Sequence, residues 1–209
     1  MRTTMLALIA TAIPAFGVDG VTLINQSAVL AAGGFPYTIS QPGSYRLAGN
    51  LAAPLDAAAV VINASNVTLD LNGFTIGCAW DQNTPNYIDC LSTSPTATPS
   101  NVVLRNGFLT LQTSSLRGSH HVANFLGATG VAIQDVSFTA SGSYSPPTFN
   151  IGSLVTIPAN SIFRHNILSG ILGPNVFCPS LIAGNVNTTA GYGWNGVACT
   201  SVTNVGPWP

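Results

Sequence analysis

Asp70, Arg105 and Arg164 are the residues whose types and spacing come nearest to a catalytic set. They occupy the second place of three seven-residue windows: LDLNGFT from Leu69, LRNGFLT from Leu104 and FRHNILS from Phe163. If these windows stack, Asp70 lies beside Arg105. The bland reading of that pair is an exposed ion pair worth about 0–1 kcal/mol. A calcium site is the sharper reading, but calcium takes about six to eight oxygens. Asp135, the other acid within such a window, falls in a stretch not adjacent to that of Asp70. Glycoside hydrolysis needs two carboxyl groups at a set separation. Asp81 and Asp89 share one segment and are read as solvated loop residues. His120 and His121 follow Arg117-Gly118-Ser119. Histidine is the usual metal ligand and proton shuttle, yet no third partner lies close in sequence, so a surface loop is favoured there. His165 falls at an expected bend and is read as structural. No serine has a nucleophile-elbow context. The expectation is no catalytic residue, no metal site and no cofactor, with Asp70, Arg105 and Arg164 as the remaining catalytic candidates.

What would position these residues is a repeat. The windows named above continue as IQDVSFT from Ile133 and IAGNVNT from Ile182. The first place is always large and apolar. The sixth is Phe74, Leu109, Phe138 and Leu168, failing only at Asn187, and the seventh is Thr or Ser throughout. First and sixth places are five apart. Residues an odd number apart on a straight strand face opposite sides. The middle of each window holds Asn, Asp, His or Gly, which favour turns or tolerate left-handed backbone. A bend there returns both apolar ends to one core. Asn-Gly between apolar residues is also the strongest short hairpin signal, but the window recurs five times and the dipeptide only twice within it. Successive starts lie 35, 29, 30 and 19 residues apart, which suits stacked coils. Parallel coils complete one another's core and backbone pairing, and stacked Asn can hydrogen-bond along the ladder.

Composition agrees. Of 209 residues only 5% are charged, every acid is Asp, every strong base is Arg, and the formal net charge is −1. Without Lys and Glu, helix formers are scarce, while Val, Thr, Asn and Gly favour strands and turns. Nothing in the charge suits nucleic acid or acidic lipid. Arg2, the apolar run Met5 to Phe16 and Ala15-Phe16-Gly17 fit a signal peptide over residues 1–17. The run is too short to span a bilayer. Cys78, Cys90, Cys178 and Cys199 form an even set, read as disulfides in an exported protein. The sequence-local pairing, Cys78 with Cys90 and Cys178 with Cys199, is favoured; each bridge stabilises by about 3 kcal/mol on chain-entropy grounds.

Three stretches carry a family resemblance: YTISQPGSYRLAGNL from Tyr37, VVINASNVTLDLNGFTI from Val60 and NVVLRNGF from Asn101. They resemble secreted bacterial right-handed parallel β-helix proteins of the pectate-lyase-like superfamily. The resemblance implies an all-β fold, a right-handed parallel β-helix (solenoid) with a short N-terminal capping helix. That helix is expected in INQSAVLAAGG, with Ser27 as N-cap and Gly33 as its stop. Residues 18–58 would form the cap and first coil, and 59–190 the coils with loops inserted at 77–100 and 141–148. Residues 191–209 would be an aromatic tail. The same fold hosts lyases, hydrolases, epimerases, adhesins and phage spikes. For a lyase the resemblance implies an Arg base and Asp ligands to calcium, here Arg105 or Arg164 with Asp70. The expected function is a secreted, non-catalytic β-solenoid with a structural, adhesive or self-assembling role at the cell surface, its partner a second copy of itself. The alternative is a lyase-like or glycan-binding protein acting on extracellular polysaccharide, with Trp80, Tyr87 and Trp194 stacking on sugar rings.

Overall fold

The computed structural model describes residues 20–81, 89–113, 121–142, 155–170, 175–176, 180–187 and 200–202. The expected signal peptide lies outside them. The elements are β1 (Val21–Ile24), α1 (Gln26–Ala31), β2 (Tyr37–Ile39), β3 (Gly43–Leu47), β4 (Leu51–Ala52), β5 (Val60–Ile62), β6 (Val67–Asp70), β7 (Thr75–Trp80), β8 (Asp89–Thr93) and β9 (Ser100–Thr113). They continue as β10 (His121–Asn124), β11 (Thr129–Gly142), β12 (Val155–Ile157), β13 (Ile162–Arg164), β14 (Ile167–Gly170), β15 (Asn175–Val176), β16 (Leu181–Ala183), β17 (Val186–Asn187) and β18 (Thr200–Val202).

Among the described residues the strands form two sheets. A 12-stranded sheet runs β1-β3-β6-β9-β11-β13-β16-β18, with β4, β7, β14 and β17 beside that path; a 6-stranded sheet runs β15-β12-β10-β8-β5-β2. The chain alternates between them, and each pass lies parallel to the one before. This parallel, almost helix-free arrangement is compatible with a β-solenoid.

The repeat is visible as columns. Tyr45, Leu69, Leu104, Ile133, Phe163 and Ile182 succeed one another in register, and all are buried. A second inward column is Leu51, Ile76, Leu109, Phe138 and Leu168. The Phe138 and Phe163 rings pack with centroids 6.3 Å apart. Truncating such a buried side chain typically costs about 2–5 kcal/mol, so these columns hold the rungs together.

The five-residue spacing is resolved by backbone conformation. In β11, Ile133 points in, Gln134 and Asp135 both point away from the core, and Val136 and Phe138 point in again. Asp135 has φ 57°, and Asn106, His165 and Gly184 repeat it at 59°, 53° and 61°. One left-handed residue per rung flips the parity of the strand. In β13 to β17 the bend also carries buried Asn side chains. Asn166 Nδ2 donates to Asn185 Oδ1 at 3.0 Å and to Ile133 O at 3.1 Å, and Asn185 Nδ2 donates to Phe163 O at 2.9 Å. A further Asn ladder, not read from the sequence, joins Asn101 Nδ2 to Asn66 Oδ1 at 3.0 Å, again with both residues left-handed.

The first window departs from the alignment. Ile76, not Phe74, pairs with Leu109, so the Leu69 rung carries two more residues than its neighbour. They are accommodated by a turn in which Asn72 and Gly73 have φ 52° and 77° and Phe74 N–H donates to Leu71 O at 2.8 Å. The hairpin turn chemistry of Asn-Gly is therefore present, but β6 and β7 pair with β9 rather than with each other. Gly107 is required against this turn, because a Cβ there would lie 2.4 Å from Leu71 Cβ and 2.7 Å from Phe74 O.

Two boundaries also shift. Residues 77–100 are not one inserted loop: Ile76, Cys78 and Trp80 alternate inward along β7, and β8 follows. Small residues at Gly77 and Ala79 hid that alternation. The helix is capped by Asn25, whose side chain accepts from Ala28 N–H at 2.9 Å, two residues ahead of Ser27. Of the 141–148 segment, Ser141 and Gly142 belong to β11 and the remainder lies outside the described residues.

Candidate functional site

Two walls of the molecule carry ionisable side chains. On the larger sheet, Arg46, Asp70, Arg105, Gln134, Arg164 and Ala183 follow one another in register, one rung apart. Parallel pairing therefore brings the three candidate residues into one row, each projecting just before the bend. Asp70 is nonetheless 7% exposed, because the Asn72 turn folds over it. Its Oδ1 accepts from Asn72 N–H at 2.9 Å and Asn106 Nδ2 at 3.3 Å. Its Oδ2 accepts from Arg105 Nε at 3.1 Å and lies 3.0 Å from the second guanidinium nitrogen. Four donors meet two oxygens, which leaves little capacity for calcium or a substrate proton. Arg164 does not join this cluster; its Nε donates to Gln134 Oε1 at 2.9 Å.

On the smaller sheet, His121 and Asp89 are register partners across β10 and β8. Both were placed in loops by the sequence; both open strands. His121 Nδ1 lies 2.6 Å from Asp89 Oδ1, with side chains 17% and 19% exposed. Asp89 Oδ2 accepts from Asn124 Nδ2 at 2.9 Å, and Asn124 Oδ1 in turn accepts from Leu126 N–H at 3.0 Å. Sequence reasoning missed this pair because 31 residues separate its members. Only the inter-rung register brings them together. A looser His–Asp contact joins His165 Nδ1 to Asp135 Oδ1 at 3.6 Å across two bends, both side chains more than half exposed.

The other candidates divide similarly. Cys78 and Cys90 form a disulfide across the interior, from β7 to β8. Trp80 is 2% exposed and faces the interior, so its ring cannot stack on a sugar in this conformation. The small residues that hid β7 also hid the burial of this indole. Cys178, Cys199, Tyr87, Trp194 and His120 lie outside the described residues. Asp81 N–H donates to Asp56 Oδ1 at 2.9 Å. Among the described residues no group of three or more His, Cys, Asp or Glu is placed to hold a metal ion. None of the described helices is long and apolar enough to cross a membrane.

Three outward side chains near the last described rungs are large and apolar. Ile162 and Leu181 are register partners and stand 41% and 42% exposed, and Ile167 just beyond the bend is 49% exposed. The same row runs through Ser44, Thr68, Val103 and Ala132 before Ile162, and through Thr200 after Leu181. No family model, no curated protein and no solved structure matches the chain.

Proposed function

We propose that this protein is a secreted structural or adhesive β-solenoid that self-associates at the cell surface or in an extracellular matrix. The observation that carries the reading is the exposure of three apolar side chains, Ile162, Leu181 and Ile167, on the outer face of the last described rungs. Exposed apolar patches mark association sites, and low net charge promotes association. The buried disulfide supports an oxidising compartment, and Asp70 is occupied as a brace for its turn, which argues against a lyase centre on that wall. In this reading the coils wind right-handedly, as in the bacterial pectate-lyase-like proteins. In the same reading the helix α1, whose Val29 is buried, covers the N-terminal end, and the C-terminal rungs are the associating region. Size-exclusion chromatography and electron microscopy of the secreted form test it. Concentration-dependent assembly that Ile162→Asp or Leu181→Asp abolishes is the expected result; a strict monomer under all conditions would overturn it.

A further inference from the structure

The strands of the smaller sheet hold few ionisable side chains besides the disulfide cysteine. Across YTI, VVI, DCLST, HVAN, VTI and NV they are Tyr37, Asp89 and His121. Its one acid and one histidine are thus register partners 2.6 Å apart. The carboxylate is fixed on both sides, by His121 on Oδ1 and by Asn124 on Oδ2. An ionised carboxylate can only accept, so Nδ1 of the neutral imidazole carries the proton and Nε2 carries the lone pair. Nε2 has no hydrogen-bond partner among the described residues, and the His121 side chain is partly exposed. The pair is therefore an oriented base whose second nitrogen is unpartnered among the described residues, the base-and-orienter half of the arrangement used in acyl transfer.

From this geometry we infer that His121 is a general base for hydrolysis of carboxylic esters, with Asp89 as its positioning residue. This goes beyond the structural role proposed above and stands on a different wall of the molecule. In the step, Nε2 takes a proton from water as the water oxygen bonds to the acyl carbon and the carbonyl pair moves onto oxygen. Collapse re-forms the carbonyl and breaks the bond to the leaving oxygen, which takes the proton back from the imidazolium. Ester and water become acid and alcohol, with no oxidant, reductant or metal required. His165 provides the internal control, since its contact to Asp135 is 3.6 Å and exposed.

The test is release of 4-nitrophenol from 4-nitrophenyl acetate by the secreted full-length protein, compared with free imidazole at equal concentration. The expected result is a rate at least tenfold above imidazole that rises with pH, because only the neutral ring has the lone pair. The rate should slow in D2O, fall at least tenfold in His121→Gln and persist in His165→Gln. Asp89→Asn should lower the rate and alter the pH profile while the thermal transition stays cooperative. The 15N chemical shifts of His121 should report the Nδ1–H tautomer in the parent and lose that preference in Asp89→Asn. A rate no greater than imidazole, equal loss in His165→Gln, a rate unslowed in D2O, or an Nε2–H tautomer in the parent overturns the inference. None of these outcomes depends on whether the protein self-associates.

Discussion

Asp70 and Asp89 are built alike and used differently. Each is a carboxylate on a strand, each meets a basic side chain from the next rung, and each is held by an asparagine, Asn106 or Asn124. Around Asp70 every partner is a pure donor, and the acid is enclosed by the turn it braces. Around Asp89 the basic partner has a second nitrogen, which has no hydrogen-bond partner among the described residues. The lesson is that a register pair of opposite polarity becomes chemistry only when one member keeps an unspent lone pair. Arginine cannot do so; neutral histidine can.

The largest effect should come from crowding the turn that Asp70 braces. Gly107→Ala places a methyl 2.4 Å from Leu71 Cβ and 2.7 Å from a backbone oxygen. Overpacking against backbone should cost about 3 kcal/mol, read as a lowered midpoint in urea. An unchanged midpoint would mean that this turn is soft and that Asp70 braces nothing. Next, Asp70→Ala strands Asn72 N–H, Asn106 and Arg105 together. The expected loss is about 2–3 kcal/mol, in the range for charged hydrogen bonds and buried donors left unmade. His121→Gln, by contrast, preserves a donor for Asp89 and should cost about 1 kcal/mol or less. If it destabilises as strongly as Asp70→Ala, both pairs are structural and the contrast disappears.

How much of this was legible beforehand follows from the range of each interaction. The inward column through Leu69, Leu104, Ile133, Phe163 and Ile182 was readable because each rung states its own pattern locally. The Asp70–Arg105 contact followed once the windows were laid side by side. The slip at Phe74 was not readable. An Asn-Gly turn can be inserted at the bend without disturbing the pairing on either side, so the window looks complete while Ile76 takes the core place. The His121–Asp89 pair was hidden for a related reason. It depends on the length of chain that leaves the smaller sheet between β8 and β10, and no local pattern fixes that length. Trp80 was misread as a sugar-stacking residue because an aromatic amid Gly, Ala, Cys and Asp resembles a loop until strand alternation is applied.

The smallest expected effect belongs to Arg164→Ala. Arg164 stands in the same row as Arg105, two rungs on, and its guanidinium reaches only the neutral side chain of Gln134. Both groups are exposed at the surface, where ordering a long side chain offsets most of what the hydrogen bond contributes. The midpoint in urea should therefore move by no more than about 0.5 kcal/mol, and the ester hydrolysis assigned to His121 should be unchanged. A substantial loss of stability would show that the row acts as one coupled network, from Asp70 through Arg105 and Gln134 to Arg164. Equal substitutions at Arg105 and Arg164, alone and together, separate the cases. Losses that add within about 0.3–0.5 kcal/mol indicate independent sites, whereas a larger deviation measures the coupling. Independence is expected, because among the described residues the side-chain hydrogen bonds join Asp70 to Arg105 and, separately, Gln134 to Arg164.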